Sequence, residues 1–113
     1  MPPSLIFRKR NKFGAVATVV DGIRFDSKRE AQYWGTLRMR ERLGEIKDLQ
    51  RQVKFGLTVN GQHVADYKAD FTYFDVAREC RIVADVKGHE TPEFKLKSKL
   101  MKACHGITIE IVK

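Results

Sequence analysis

The chain has 113 residues, with 22 Lys and Arg against 14 Asp and Glu, and a formal net charge of +8. That length supports one hydrophobic core with little room for a second, and 42% hydrophobic with 32% charged residues is the balance of an ordinary globular protein. No apolar run approaches the ~20 residues needed to cross a bilayer, so the positive excess points to a polyanionic partner, nucleic acid ahead of a membrane surface.

Residues 1–12 carry Arg8, Lys9, Arg10 and Lys12 behind a very short apolar patch. This order is the reverse of a secretory signal, and the expected compartment is the cytoplasm. The segment has no periodicity and is expected to be a flexible basic arm whose four cations contact phosphates. A solvated tail and a nuclear-localisation signal fit the same composition. Residues 13–25 predict a short β-hairpin, with Val16, Thr18 and Val20 alternating toward the turn dipeptide Asp21-Gly22. Such a hairpin covers a sheet edge or pairs with a second copy of the chain; the sequence leaves both open.

A helix is expected over 27–43. Ser27 and Glu30 form a capping-box pattern, Asp26 adds negative charge at the positive helix end, and Leu43-Gly44 is a stop. Ala31, Trp34 and Leu37 make the apolar stripe, and Glu30 lies on it, four residues before Trp34. Two reasons fit an acid there: the capping box itself, or a metal-directed carboxylate aimed at the sheet. Arg29, Arg38, Arg40 and Arg42 decorate the other faces, as a solvated or DNA-facing surface would.

Strands are expected over 49–59, 62–74 and 80–87. They are joined by the hairpin turn Asn60-Gly61 and a connection through 75–79, giving three consecutive antiparallel strands. Thr91 as cap with Pro92 in the first turn starts a helix over 92–104, and Gly106 ends it. Its stripe is read as Leu96, Leu100 and Ala103, with Phe94 and Met101 beside it. Lys95, Lys99 and Lys102 form one basic ridge, a phosphate-contact candidate or a solvated face. The closing segment ITIEIV is a β-branched strand, and the helical crossover before it allows a parallel partner. The order of elements predicts a single α/β domain, residues 1–113, with a central mixed sheet, two helices and an N-terminal hairpin. Cys80 and Cys104 form no CxxC pair and show no zinc-ligand spacing with His63, His89 or His105. They are expected to be reduced thiols buried in the core.

The stretch Asp70 to Lys87 concentrates the chemistry. Strict alternation puts Tyr67, Ala69, Phe71 and Tyr73 on one face of the first strand, and Asp66, Lys68, Asp70 and Thr72 on the other. A turn centred between Ala77 and Arg78 sets Phe71 opposite Ala84 and Asp70 opposite Asp85. Like charges across a ladder are destabilising unless something lies between them, and a divalent cation resolves the conflict. Lys87, two residues beyond Asp85, overlooks the same place. The plainer alternative is a solvated strand face.

With Glu30 on the first helix, Asp70 in Ala69-Asp70 and the run Asp85-Val86-Lys87, the chain resembles the PD-(D/E)xK nuclease superfamily, with Ala69 where the motif has proline. More closely, FDSKREAQYW, GEIKDLQRQVKF, YKADFTYF and VADVKG with TPEFKLKSKL look like a family of small phage-encoded proteins similar to Holliday-junction resolvases, over nearly the whole chain from Phe13 onward. The resemblance implies a restriction-endonuclease-like core, dependence on Mg²⁺ or Mn²⁺, a symmetric homodimer, and cleavage of branched double-stranded DNA in recombination or packaging. It implies Asp70 and Asp85 as direct metal ligands, the Val86 carbonyl and Glu30 as further ones, and Lys87 beside the attacking water. No membrane partner is expected. Gln52 and His89 are read as a strand-surface residue and a loop residue. The contrasting expectation is a basic nucleic-acid-binding module without catalysis, with Phe71, Tyr73 and Phe74 as a base-stacking platform; a nicking or restriction-type nuclease without junction selectivity is a third.

Overall fold

A computed structural model describes residues 18–113. The expected basic arm, with Arg8, Lys9, Arg10 and Lys12, and the start of the first hairpin, 13–17, lie outside the described residues. The chain divides into two compact units, Met1–Arg42 and Leu43–Lys113.

In the first unit, β1 (Thr18–Val20) and β2 (Ile23–Phe25) pair antiparallel across Asp21-Gly22. Both turn residues have positive φ, 54° and 75°, the combination that matches the twist of a two-residue hairpin. A two-stranded hairpin is marginal alone, and this one is tied to helix α1 (Lys28–Arg42). The indole N–H of Trp34 donates to Asp21 Oδ2 at 3.1 Å, and the Phe25 and Trp34 rings lie 6.1 Å apart. The expected cap is present: the Glu30 backbone N–H donates to Ser27 Oγ at 3.1 Å. Ala31, Trp34 and Leu37 are buried as the stripe predicts.

The second unit is a four-stranded mixed sheet in the order β3 (Ile46–Val59), β4 (Gln62–Asp75), β5 (Cys80–Val86), β6 (Glu110–Val112). The first three are antiparallel neighbours and β6 is parallel to β5, reached through helix α2 (Pro92–His105). Asn60 and Gly61 repeat the double positive-φ turn at 51° and 79°. Phe71 pairs with Ala84, as the turn position predicts. Thr91 Oγ1 accepts the Phe94 N–H at 3.1 Å, and Gly106 closes the helix at φ 68°, its N–H bonded to the Lys102 carbonyl.

Leu57, Tyr67, Ala69 and Val83 from the sheet form a core cluster with Phe94 and Met101 of α2 and Ile109. The stripe of α2 therefore differs from the expected one. Phe94 and Met101, seven residues apart, are its buried positions, whereas Leu96 is 59% exposed. Cys80 is exposed and Cys104 half-buried, its Sγ bonded to the Thr58 carbonyl, so the expectation of two core thiols is corrected.

The most consequential departure lies in β4. Val83 pairs with Thr72 and Ala84 with Phe71, so Val83 and Asp85 share a face with Thr72. Tyr67 and Ala69 nonetheless cluster with Val83, and the Tyr67 hydroxyl reaches Asp85. The side-chain alternation must therefore change phase between Ala69 and Phe71, and the single face predicted for Tyr67, Ala69, Phe71 and Tyr73 is split in two. The neighbouring strand is irregular at the same level. Between the pairs Arg51–Phe71 and Val53–Ala69 stands Gln52, whose φ of 53° takes β3 out of extended geometry opposite Asp70.

Candidate metal and phosphodiester site

The phase change brings Tyr67 and Asp70, three residues apart, onto the face that carries Asp85 and Lys87. Together with Lys68, Lys97 and Phe94 they line a cleft of about 240 Å³.

Asp85 sits on β5 and is 1% exposed. A buried carboxylate is costly unless its oxygens are paired. Oδ2 accepts a short hydrogen bond from the Tyr67 hydroxyl. Oδ1 lies 3.4 Å from Lys87 Nζ but has no hydrogen-bond donor. Lys87 Nζ in turn stands 4.8 Å from the centre of the Phe94 ring, a cation–π contact, and Phe94 lies 6.3 Å from the Tyr67 ring. The four side chains thus close a circuit. Burial, and then the Asp85 carboxylate, push the Tyr67 phenol well above its ordinary pKa, so Tyr67 is a fixed donor. Asp70 is half-buried, and its Oδ2 accepts the backbone N–H of Val86 at 2.9 Å. Val86 thereby enters the site through its amide and holds Asp70 across the strand end.

Of the residues expected from sequence, Asp70, Asp85 and Lys87 come together here. Glu30 belongs to the first unit, in the first turn of α1. Lys95, Lys99 and Lys102 are exposed on α2 and do not line the cleft. Gln52 and His89 are exposed as expected. Among the described residues no group of three or more His, Cys, Asp or Glu side chains converges on one point. Tyr67, Lys68 and Lys97 line the cleft although the sequence reading gives none of them as a site residue; it gives Lys68 only as a strand-face residue. Tyr67 was hidden by strict alternation. Lys97, which pairs with Glu93 at 3.4 Å, lies three residues after Phe94 and so on its helix face, and the misplaced stripe concealed it.

The residues suit a hard divalent cation. Asp85 Oδ1 is a buried anionic oxygen without a donor, Asp70 lines the same cleft, and such cations take carboxylate oxygens. The surrounding lysines Lys68, Lys87 and Lys97 suit an anion alongside it.

A family model described as "Protein of unknown function (DUF1064)" matches residues 10–108. The chain belongs to this family. No curated protein and no solved structure matches the chain. No helix among the described residues is long and apolar enough to cross a membrane.

Proposed function

We propose that this DUF1064-family protein is a metal-dependent DNA endonuclease that hydrolyses phosphodiester bonds in branched duplexes, acting as a homodimer. One observation carries the reading. Asp85 Oδ1 is buried without a hydrogen-bond donor, 3.4 Å from Lys87 Nζ, in a cleft that a second aspartate and Lys68 and Lys97 also line. A structural acid is normally satisfied by its neighbours; one left this way suits an absent cation.

Asp70 and Asp85 would hold Mg²⁺ or Mn²⁺, with the Val86 carbonyl as a further ligand. When bound, the cation supplies charge neutralisation at the scissile phosphate and acidifies water. The chain's own residues do the rest. Lys87, pinned between Asp85 and the Phe94 ring, presents a charged donor at a set position and stabilises negative charge as it develops. Lys68 and Lys97 hold the non-bridging phosphate oxygens and orient the phosphodiester for attack. The exposed ridge of Lys95, Lys99 and Lys102 contacts the flanking duplex through its phosphates. A four-way junction has two-fold symmetry and needs two opposed nicks, which two copies related by a two-fold axis would supply.

The test is cleavage of an end-labelled four-way junction beside a matched linear duplex, in Mg²⁺, Mn²⁺ or EDTA, by wild type and Asp85→Ala. Paired, metal-dependent nicks in the junction alone, absent in the variant, are expected. Cutting of both substrates would remove the junction selectivity and leave a nuclease. Tight binding without cutting in either metal would overturn the enzyme reading in favour of a binding module.

A further inference from the structure

Within that circuit of contacts, the Tyr67 hydroxyl does something the acids cannot do for themselves. A carboxylate on a single Cβ can rotate and exchange its two oxygens. Asp85 is prevented from doing so, because Oδ2 is occupied by the phenol while Oδ1 faces Lys87 and has no donor. The ring behind that hydroxyl is itself immobile. Tyr67 is 4% exposed, stacked on Phe55 at 6.4 Å and 24° and packed against Phe94 at 54°. Its backbone lies just before the phase change at Asp70, which is the reason a residue three positions away from Asp70 reaches the same cleft.

We infer that Tyr67 is a positioning residue for the cation site: its hydroxyl ties down Asp85 Oδ2 and leaves Oδ1 as the oxygen available to the metal. The inference rests on the proposed metal site, and it assigns Tyr67 a role distinct from core packing. Partners that hold a ligating group from behind typically change metal affinity by about 10–100-fold when removed.

The test titrates Mn²⁺ into wild type, Tyr67→Phe and Phe55→Leu by calorimetry at 20 °C and neutral pH, and records the electron paramagnetic resonance spectrum of bound Mn²⁺. Tyr67→Phe keeps the ring and removes only the donor. Phe55→Leu disturbs the packing behind Tyr67 without touching Asp85. Circular dichroism confirms that each variant is folded at the assay temperature. Tyr67→Phe is expected to weaken Mn²⁺ binding by about 10–100-fold and to alter the spectrum of the bound ion. Phe55→Leu is expected to melt earlier yet bind with wild-type affinity. Wild-type affinity and spectrum in Tyr67→Phe would overturn the positioning role and leave the metal site standing. Absence of Mn²⁺ binding by wild type would overturn both.

Discussion

Replacing Tyr67 with Phe also has a consequence for stability, and its size follows from the geometry. The hydroxyl donates to a carboxylate that is 1% exposed, so water does not replace the lost donor. A hydrogen bond to a charged group contributes about 1.5–3 kcal/mol, and a loss of about 2 kcal/mol is expected. For a chain of 113 residues, each kcal/mol corresponds to about 4 °C in the unfolding midpoint, so the variant is expected to melt about 8 °C lower. The pH dependence adds a second signature. The folded-state pKa of Tyr67 is raised, by burial first and by Asp85 second. A group raised in the folded state contributes stability that is fully present below its unfolded value and declines as pH rises above it. The unfolded value for tyrosine is about 10. The gap between wild type and variant is therefore constant below about pH 10 and narrows above it, where the unfolded phenol ionises and favours unfolding of the wild type only. Thermal melts in EDTA across neutral and alkaline pH measure this directly. Equal midpoints at neutral pH would refute the claim that this hydrogen bond holds a buried charge, and a gap that widened above pH 10 would refute the direction of the linkage.

The stripe of α2 predicts a contrast between two of its apolar residues. Met101→Ala, at a fully buried position, is expected to cost about 2–5 kcal/mol, whereas Leu96→Lys, at a position 59% exposed, is expected to stay within about 0.5 kcal/mol in chemical denaturation. Gly106→Ala meets no neighbouring atom but must hold φ at 68°; a cost of about 1 kcal/mol in the same assay is expected from the left-handed backbone alone. On the functional side, replacing Lys95, Lys99 and Lys102 together by Ala should reduce the slope of log affinity for duplex DNA against log salt by about 2.7, at roughly 0.9 per phosphate contact. Measured in EDTA to prevent cutting, an unchanged slope would return the ridge to being merely a solvated face.

What could be read in the sequence was whatever rests on local backbone chemistry. Asp21-Gly22 and Asn60-Gly61 announce their turns because few residues tolerate two successive positive φ values. Ser27 and Thr91 announce helix starts because their side-chain oxygens accept N–H groups that have no partner within the helix. The pairing of Phe71 with Ala84 followed from centring the turn on its polar residues. What failed depended on another strand or on tertiary fit. Nothing in the letters around Asp70 says that Gln52, far away in sequence but opposite in the ladder, leaves the extended region. Leu96 and Phe94 both satisfy a helical period, and only contact with the sheet chooses Phe94. The six-residue run ITIEIV reads as a strand throughout, yet only Glu110–Val112 have a parallel partner in β5.

The phase change in β4 has a consequence for how this strand tolerates variation. An ordinary half-buried strand behaves as one wave of period two, so tolerant and intolerant positions alternate along it. β4 is two such waves half a period out of step, with the node at Asp70. For folding stability, sensitivity should fall on Tyr67 and Ala69 and spare the exposed Lys68, then become unbroken through Phe71, Thr72 and Tyr73, all of which are buried. A single-residue deletion at the node would restore one continuous wave that keeps Tyr67 on the side of Asp85, and in doing so would remove Asp70 from the cleft. The irregularity is thus the means by which a strand with one side chain per step delivers both an aromatic donor and an acid to the same few ångströms of space.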